Sequence, residues 1–230
     1  MGLIVRRDYL PAMSSPGNLV IFDLDGTLTA RDTFIPFLLS FYKRRPAPLM
    51  RILLLGVPIL QFALKRIDNA TLKQKFLSAF TKGASRTQID QHARLFVKHL
   101  MATGLRPAAL STLQTHIQNG DLVVLLSASF DFYVPYIAQQ LKIHETICTQ
   151  AEWRDDCLTG RLASPNCHGQ RKVELLAALQ QRHQGRKVIA YADNISDIPL
   201  LLLADDGFLI SHSSRAIAKA RQLGLSILHW

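Results

Sequence analysis

Leu19-Val20-Ile21-Phe22-Asp23-Leu24-Asp25-Gly26-Thr27-Leu28-Thr29 is the stretch on which the rest of the chain depends. Four apolar residues run into two carboxylates spaced one apart, then Gly-Thr. A short apolar run closed by polar residues and glycine reads as a buried strand breaking into a loop. Residues i and i+2 of a strand point the same way, so Asp23 and Asp25 are expected together near its carboxyl end. Open α/β sheets bind ligands at that edge. Two acids there, without neighbouring bases, suit a divalent cation or proton transfer. An ordinary Asp-Gly turn is the plain alternative.

At 230 residues, the chain has room for one large domain or a domain carrying an insert. A 48% hydrophobic content supports a packed core. Three cysteines, Cys148, Cys157 and Cys167, are irregularly spaced. They make neither a disulfide framework nor a zinc site and fit a reducing cytoplasm. Residues 1–17 read as an N-terminal extension rather than a targeting segment.

The formal charge of +10 is uneven. Residues 31–106 hold 14 Lys/Arg against Asp32, Asp68 and Asp90, a net of +11, and the remainder nets −1. Such a basic region suits a phosphorylated ligand, anionic lipid headgroups or nucleic acid, or is simply a solvated surface. No aromatic-basic interleaving of a known nucleic-acid module accompanies it, so nucleic acid is not expected.

Beyond Thr29 the pattern turns helical. Phe34, Phe37, Leu38 and Phe41 share one helix face. The apolar run over 52–64 is too short to span a bilayer. It is expected buried within a helical domain, with a membrane-surface position as the alternative. Helices are expected over 69–80 and 87–101, the latter capped by Ser85 or Thr87. From Arg106 onward strands alternate with helices: strands over 122–126, 145–149, 187–191, 207–210 and 225–228, with a hairpin over 151–161. This predicts an α/β fold with a doubly wound parallel, Rossmann-like sheet and an inserted all-helical cap. The expected domains are a core of 18–32 with 106–230, and a cap of 33–105.

Polar residues close the apolar strands at Ser127 and at Asp193, with Asp197 four further on, and Lys172 lies in the first turn of a helix. Asp-x-Asp-Gly-Thr (23–27), the serine-terminated strand at Ser127, Lys172 and Asp-x-x-x-Asp (193–197), in that order, resemble the haloacid dehalogenase-like superfamily. Ser-Ala-Ser (127–129), Cys-x-Gly-x-x-Lys (167–172) and Asp-x-x-x-Asp-x-Pro-Leu-Leu (193–201) resemble its phosphoserine-phosphatase-like branch, subfamily IB. The resemblance covers about residues 18–229.

It implies a Mg²⁺-dependent phosphatase acting through an aspartyl-phosphate. Asp23 would be the nucleophile, Asp25 the general acid and base, and Lys172 the charge-offsetting cation. Ser127 and the backbone at Ala128 would bind phosphate, again with Lys172. Asp23, the Asp25 carbonyl and Asp193 would hold the metal, with Asp197 behind them. Asp32, nine residues after Asp23, matches an acid that holds a substrate amine in phosphoserine phosphatases; capping the next helix is its plain alternative. The substrate implied is a phosphorylated small molecule such as phosphoserine, or a lipid phosphate such as phosphatidylglycerol phosphate. The latter brings peripheral contact with an anionic inner membrane. A non-catalytic phospho-ligand or lipid-binding module is the reading of another class.

Overall fold

The computed structural model describes residues 17–211 and 213–230. The expected N-terminal extension therefore lies, apart from Gly17, outside the described residues.

The strand β1 (Leu19–Phe22) is buried along its whole length. It pairs in parallel with β2 (Leu122–Phe130) on one side and β6 (Val188–Ala192) on the other. Outside these lie β3 (Glu145–Thr149), β7 (Asp206–Ile210) and β8 (Ser226–Leu228), giving the all-parallel order β3-β2-β1-β6-β7-β8. The winding reverses between β1 and β6. The crevice at that switch point is where a doubly wound sheet offers a ligand site.

Alternation along β1 divides the core. Leu19 and Ile21 face α8 (Gln170–Arg182), α9 (Ile198–Leu203) and α10 (Ser214–Gln222) through Leu176, Leu179, Leu201 and Ala220. Val20 and Phe22 face α6 (Pro107–Gln118), α7 (Val134–Gln140) and the inserted helices. Burial on both faces explains the unbroken apolar strands.

Five helices are inserted after β1: α1 (Phe34–Arg44), α2 (Leu49–Leu53), α3 (Gly56–Ala63), α4 (Asn69–Thr81) and α5 (Arg86–Thr103). Asp68 caps α4, its side chain accepting from Thr71 N–H at 2.8 Å. Ser85 and Gln88 form a reciprocal capping box at α5. Phe34, Phe37, Leu38 and Phe41 are all buried. Phe37 stacks on Tyr133 of the core, with ring centroids 4.9 Å apart. The two chain crossings run side by side: Ala30 N–H donates to Gly104 O at 2.9 Å and Arg106 N–H to Leu28 O at 3.0 Å.

Three expectations need correction. The run over 52–64 is mostly not buried: Leu53, Leu54, Val57 and Leu60 are exposed, while Leu55 and Pro58 are buried and Ile52 packs half-buried against the core. Two helices this short have too little contact with α4 to cover both sides. The strand β2 does not stop at Leu126 but continues to Phe130, with an irregularity in its pairing to β3 after Ser127. The hairpin of β4 (Ala151–Arg154) and β5 (Cys157–Leu162), expected with the core, packs on cap helix α4. Gly83 N–H donates to Leu158 O and Arg86 N–H to Asp156 O, both at 2.8–2.9 Å. Among the described residues no helix is long and apolar enough to cross a membrane.

Candidate active site

A cavity of about 660 Å³ opens at the carboxyl edge of β1 and β6, under the inserted helices. It is lined by Asp23, Asp25, Asp32, Ala128, Lys172, Asp193 and Asp197 of the anticipated residues, together with Arg31, Lys73, Arg106 and Ser129. Seven of the eight candidates therefore meet in one place. Ser127 is the exception.

Asp23 is the first residue past β1, and its backbone N–H donates to Tyr191 O of β6 at 3.0 Å. β1 ends at Phe22, so Asp25 is aimed by the turn over Leu24–Leu28, in which its own backbone is extended, and not by strand alternation. Within that turn Gly26 has φ = 79°, and a Cβ placed there would stand 2.1 Å from Asp193 Oδ2. Only glycine lets Asp193 close against the turn.

Lys172 is almost fully buried. Its Nζ donates to Asp23 Oδ1 at 2.7 Å and to Asp197 Oδ2 at 2.8 Å. Burial disfavours its charge, but the two carboxylates outweigh that and raise its pKa. Burial pushes the Asp23 carboxyl up to about 7 against the pull of Lys172. Burial, then the neighbouring Asp197, brings Asp193 to about 6. Around the Lys172 ammonium stand three carboxylates, Asp23, Asp193 and Asp197, which leave a local excess of negative charge.

That excess fits a hard divalent cation with oxygen ligands. Asp197 Oδ1 is buried without a hydrogen-bond partner. Among the described residues no three His, Cys, Asp or Glu side chains converge as a metal site. The anticipated donor set needs only two carboxylates and a carbonyl, so the residues present fit the cation. The Asp197 side chain makes no capping bond to the helix that follows it, and Lys172 takes it instead.

Asp25 is held on both oxygens. Oδ1 accepts from Thr33 N–H at 2.7 Å and Thr33 Oγ1 at 2.6 Å; Oδ2 accepts from Ser129 Oγ at 2.6 Å. Burial raises its pKa, and the nearby Asp32 adds to this. Asp32 Oδ2 accepts from Ile35 N–H at 2.9 Å, the capping role foreseen as its alternative, while the residue still lines the cavity.

Ser127 sits beneath the cavity wall, wholly buried, with Oγ accepting from Ser129 N–H at 3.0 Å. The strand runs on past it, which carries Ala128 and Ser129 to the surface of the cavity instead. Lys73 of α4 was not anticipated. It donates to Ala128 O at 2.6 Å and Asn166 Oδ1 at 3.0 Å, and burial lowers its pKa to about 8. Arg106, at the return from cap to core, donates from Nε to Gly26 O at 3.1 Å. Nothing in the local sequence marks Thr33, Lys73, Arg106 or Ser129. An excess of bases in the cap was the one available signal for Lys73.

A doubly wound sheet, a helical insert after its first strand and acids at its switch point together define a haloacid dehalogenase-like hydrolase. The model of that family matches residues 20–202, and the chain belongs to it. Protein CicA of Caulobacter vibrioides is 31% identical over 206 residues, covering 89% of this chain and 91% of that protein. Phosphoserine phosphatase SerB1 of Mycobacterium tuberculosis is 27% identical over 162 residues, covering 70% of this chain and 52% of that one. The solved structure of a phospho-aspartyl intermediate analogue of phosphoserine phosphatase shares the fold, with a TM-score of 0.65 at 16% identity and 93% of each chain covered. The chain thus shares its fold with solved phosphoserine phosphatases.

Proposed function

We propose that this chain is a Mg²⁺-dependent phosphatase that cleaves a phosphate monoester through an aspartyl-phosphate on Asp23. The observation that carries the reading is the Lys172 ammonium seated between Asp23 and Asp197 on the cavity wall. A buried cation there positions the nucleophile and offsets charge as a phosphoryl group arrives.

Asp23, the Asp25 carbonyl and Asp193 would hold Mg²⁺, with Asp197 behind them. Bound there, the ion would remove the repulsion between a carboxylate and a phosphate dianion. The Asp23 carboxylate attacks phosphorus as the bond from phosphorus to the alcohol oxygen breaks. Asp25, whose burial favours the protonated form, gives its proton to the departing alkoxide. It then takes a proton from the water that attacks the phosphorus of the acyl phosphate, releasing inorganic phosphate and restoring Asp23. The Ala128 backbone holds the phosphoryl oxygens, with the buried Ser127 hydroxyl fixing the turn beneath it. Lys73 fixes the peptide between them and Ser129 by binding the Ala128 carbonyl.

For the substrate we favour a lipid phosphate, of which phosphatidylglycerol phosphate is an example, met by a cytoplasmic enzyme in peripheral contact with an anionic membrane. The exposed apolar side chains of α2 and α3 support this. A small soluble ester such as phosphoserine is the second reading, and Asp32 on the cavity wall supports it as a partner for a substrate ammonium. A non-catalytic binding module has less support, because no position of the proposed machinery is missing.

Hydrolysis of p-nitrophenyl phosphate, with and without Mg²⁺, by wild type and Asp23→Asn tests the chemistry. Activity that requires Mg²⁺ and Asp23 is expected; substantial turnover by the variant would remove Asp23 from its role. Release of phosphate from phosphatidylglycerol phosphate against phosphoserine then separates the two substrates.

A further inference from the structure

Among the described residues, exposed apolar side chains are most concentrated on the cap. Nine of the sixteen exposed large apolar side chains among the described residues fall between Leu49 and Leu64. Met50, Leu53 and Leu60 are 65%, 64% and 60% exposed. Soluble surfaces carry single apolar side chains freely, but a contiguous group of this size marks a contact with something apolar. Among the described residues nothing covers it: α2 and α3 rest inward through Ile52, Leu55 and Pro58, and no described element lies against their opposite side.

The charges that flank the group are basic, with Asp68 the first acid beyond it. Lys43 and Arg44 precede it, Arg51 lies within it, and Lys65 and Arg66 follow, all exposed. Residues 33–67 contain no Asp or Glu. A second copy of the chain would bring the same basic rim against itself, and like charges opposed across an apolar contact repel. A nucleic acid would meet the bases but not the leucines. An anionic lipid surface satisfies both: short helices lie in the interface with apolar side chains among the acyl chains, and the bases pair with headgroups.

We infer that α2 and α3 form a docking surface for an anionic membrane, with Leu49–Leu64 entering the interface and the flanking bases held at the headgroups. The placement bears on the cavity. Asn69, five residues past Leu64, opens α4, and Asn69, Leu72, Lys73 and Phe76 of that helix line the cavity. One helix therefore joins the docking surface to the wall of the site. The consequence, that a phosphorylated headgroup reaches the site from the bound membrane, rests on the phosphatase reading; the docking does not.

Co-sedimentation of the full chain tests the inference, using vesicles of phosphatidylcholine alone and of phosphatidylcholine with phosphatidylglycerol. Wild type is expected to pellet with the anionic vesicles only, and less at high salt. Leu53→Asp with Leu60→Asp is expected to stay in solution. Arg51→Gln with Lys65→Gln and Arg66→Gln is expected to lose roughly a hundredfold in partitioning. All three side chains of the second variant and both of the first are exposed, so folding and hydrolysis of soluble p-nitrophenyl phosphate should be unchanged. Failure of wild type to bind anionic vesicles overturns the inference, as does binding that survives both variants. A dimer that the leucine variant dissociates, without vesicle binding, assigns the face to a second copy instead. Vesicle binding by a wild type that hydrolyses nothing rejects the phosphatase reading alone.

Discussion

The Lys73 ammonium reaches from cap helix α4 to the core and donates to the Ala128 carbonyl at 2.6 Å. It also lies over the Phe34 and Phe130 rings, 5.7 Å from each centroid. A cation is thus held in a largely apolar place, between two halves of the molecule and at the wall of the proposed phosphate site.

That position should cost stability and serve activity. Burial lowers the Lys73 pKa from 10.5 to about 8. Below pH 8 folded and unfolded chains are both protonated, and the native state bears the full cost of the buried charge. Above 10.5 both are neutral and the cost is gone. Wild-type stability should therefore gain on Lys73→Met between pH 8 and 10.5. At pH 7 the cost is on the order of 3 kcal/mol before the lost hydrogen bonds, about 1 kcal/mol each, are subtracted. Lys73→Met is expected to melt higher than wild type at pH 7, with kcat/KM reduced. A stability difference that is the same at pH 7 and pH 10.5 would exclude this account.

The three acids around Lys172, Asp23, Asp193 and Asp197, predict that divalent cation and fold are linked. Mg²⁺ at about a hundred times its dissociation constant should stabilise the native state by about 2.7 kcal/mol. Differential scanning calorimetry should show Tm rising with Mg²⁺ and returning with EDTA. Asp193→Asn should abolish the rise. A Tm indifferent to Mg²⁺ in wild type would count against the metal assignment.

Lys172→Met should be costly to the fold as well as to turnover. It leaves the buried Asp23 and Asp197 carboxylates without their cation, a loss of about 3–5 kcal/mol for a broken buried pair. Urea unfolding measures it; a loss under about 1 kcal/mol would mean the pair is relieved by solvent.

Gly26→Ala should damage the site more than the fold. The added Cβ meets Asp193 Oδ2 at 2.1 Å, and φ = 79° strains any other residue. Turnover and the Mg²⁺-dependent rise in Tm are expected to fall together, while circular dichroism stays that of wild type. Activity within twofold of wild type would show that Asp193 can shift without consequence.

Phe37→Ala tests how the cap is attached. Phe37 is fully buried and contacts Phe96 of the cap and Tyr133 of the core, at 5.3 and 4.9 Å between centroids. Truncation should cost about 3–5 kcal/mol. Cap and core share this cluster, so a single unfolding transition is expected; two separated transitions would show that they fold independently.

Sequence by itself determined the sheet, the order of its elements and most of the acids. Buried strands need unbroken apolar runs, and the polar residue ending each run marks the edge where a site forms, so Asp23, Asp193 and the lysine opening α8 stood out locally. Gly26 was legible as a turn, but its reason, the approach of Asp193, was not. Tertiary structure decided the rest, because it depends on residues distant in the chain meeting. Asp25 is held by Thr33 and by Ser129, more than a hundred positions away. Lys73 meets Ala128 across 55 positions. The run over 52–64 shows the same limit from the other side. Periodicity says that a segment has an apolar face, but only packing shows whether the protein has anything to put against it. Among the described residues it has not, and α2 and α3 present that face outward.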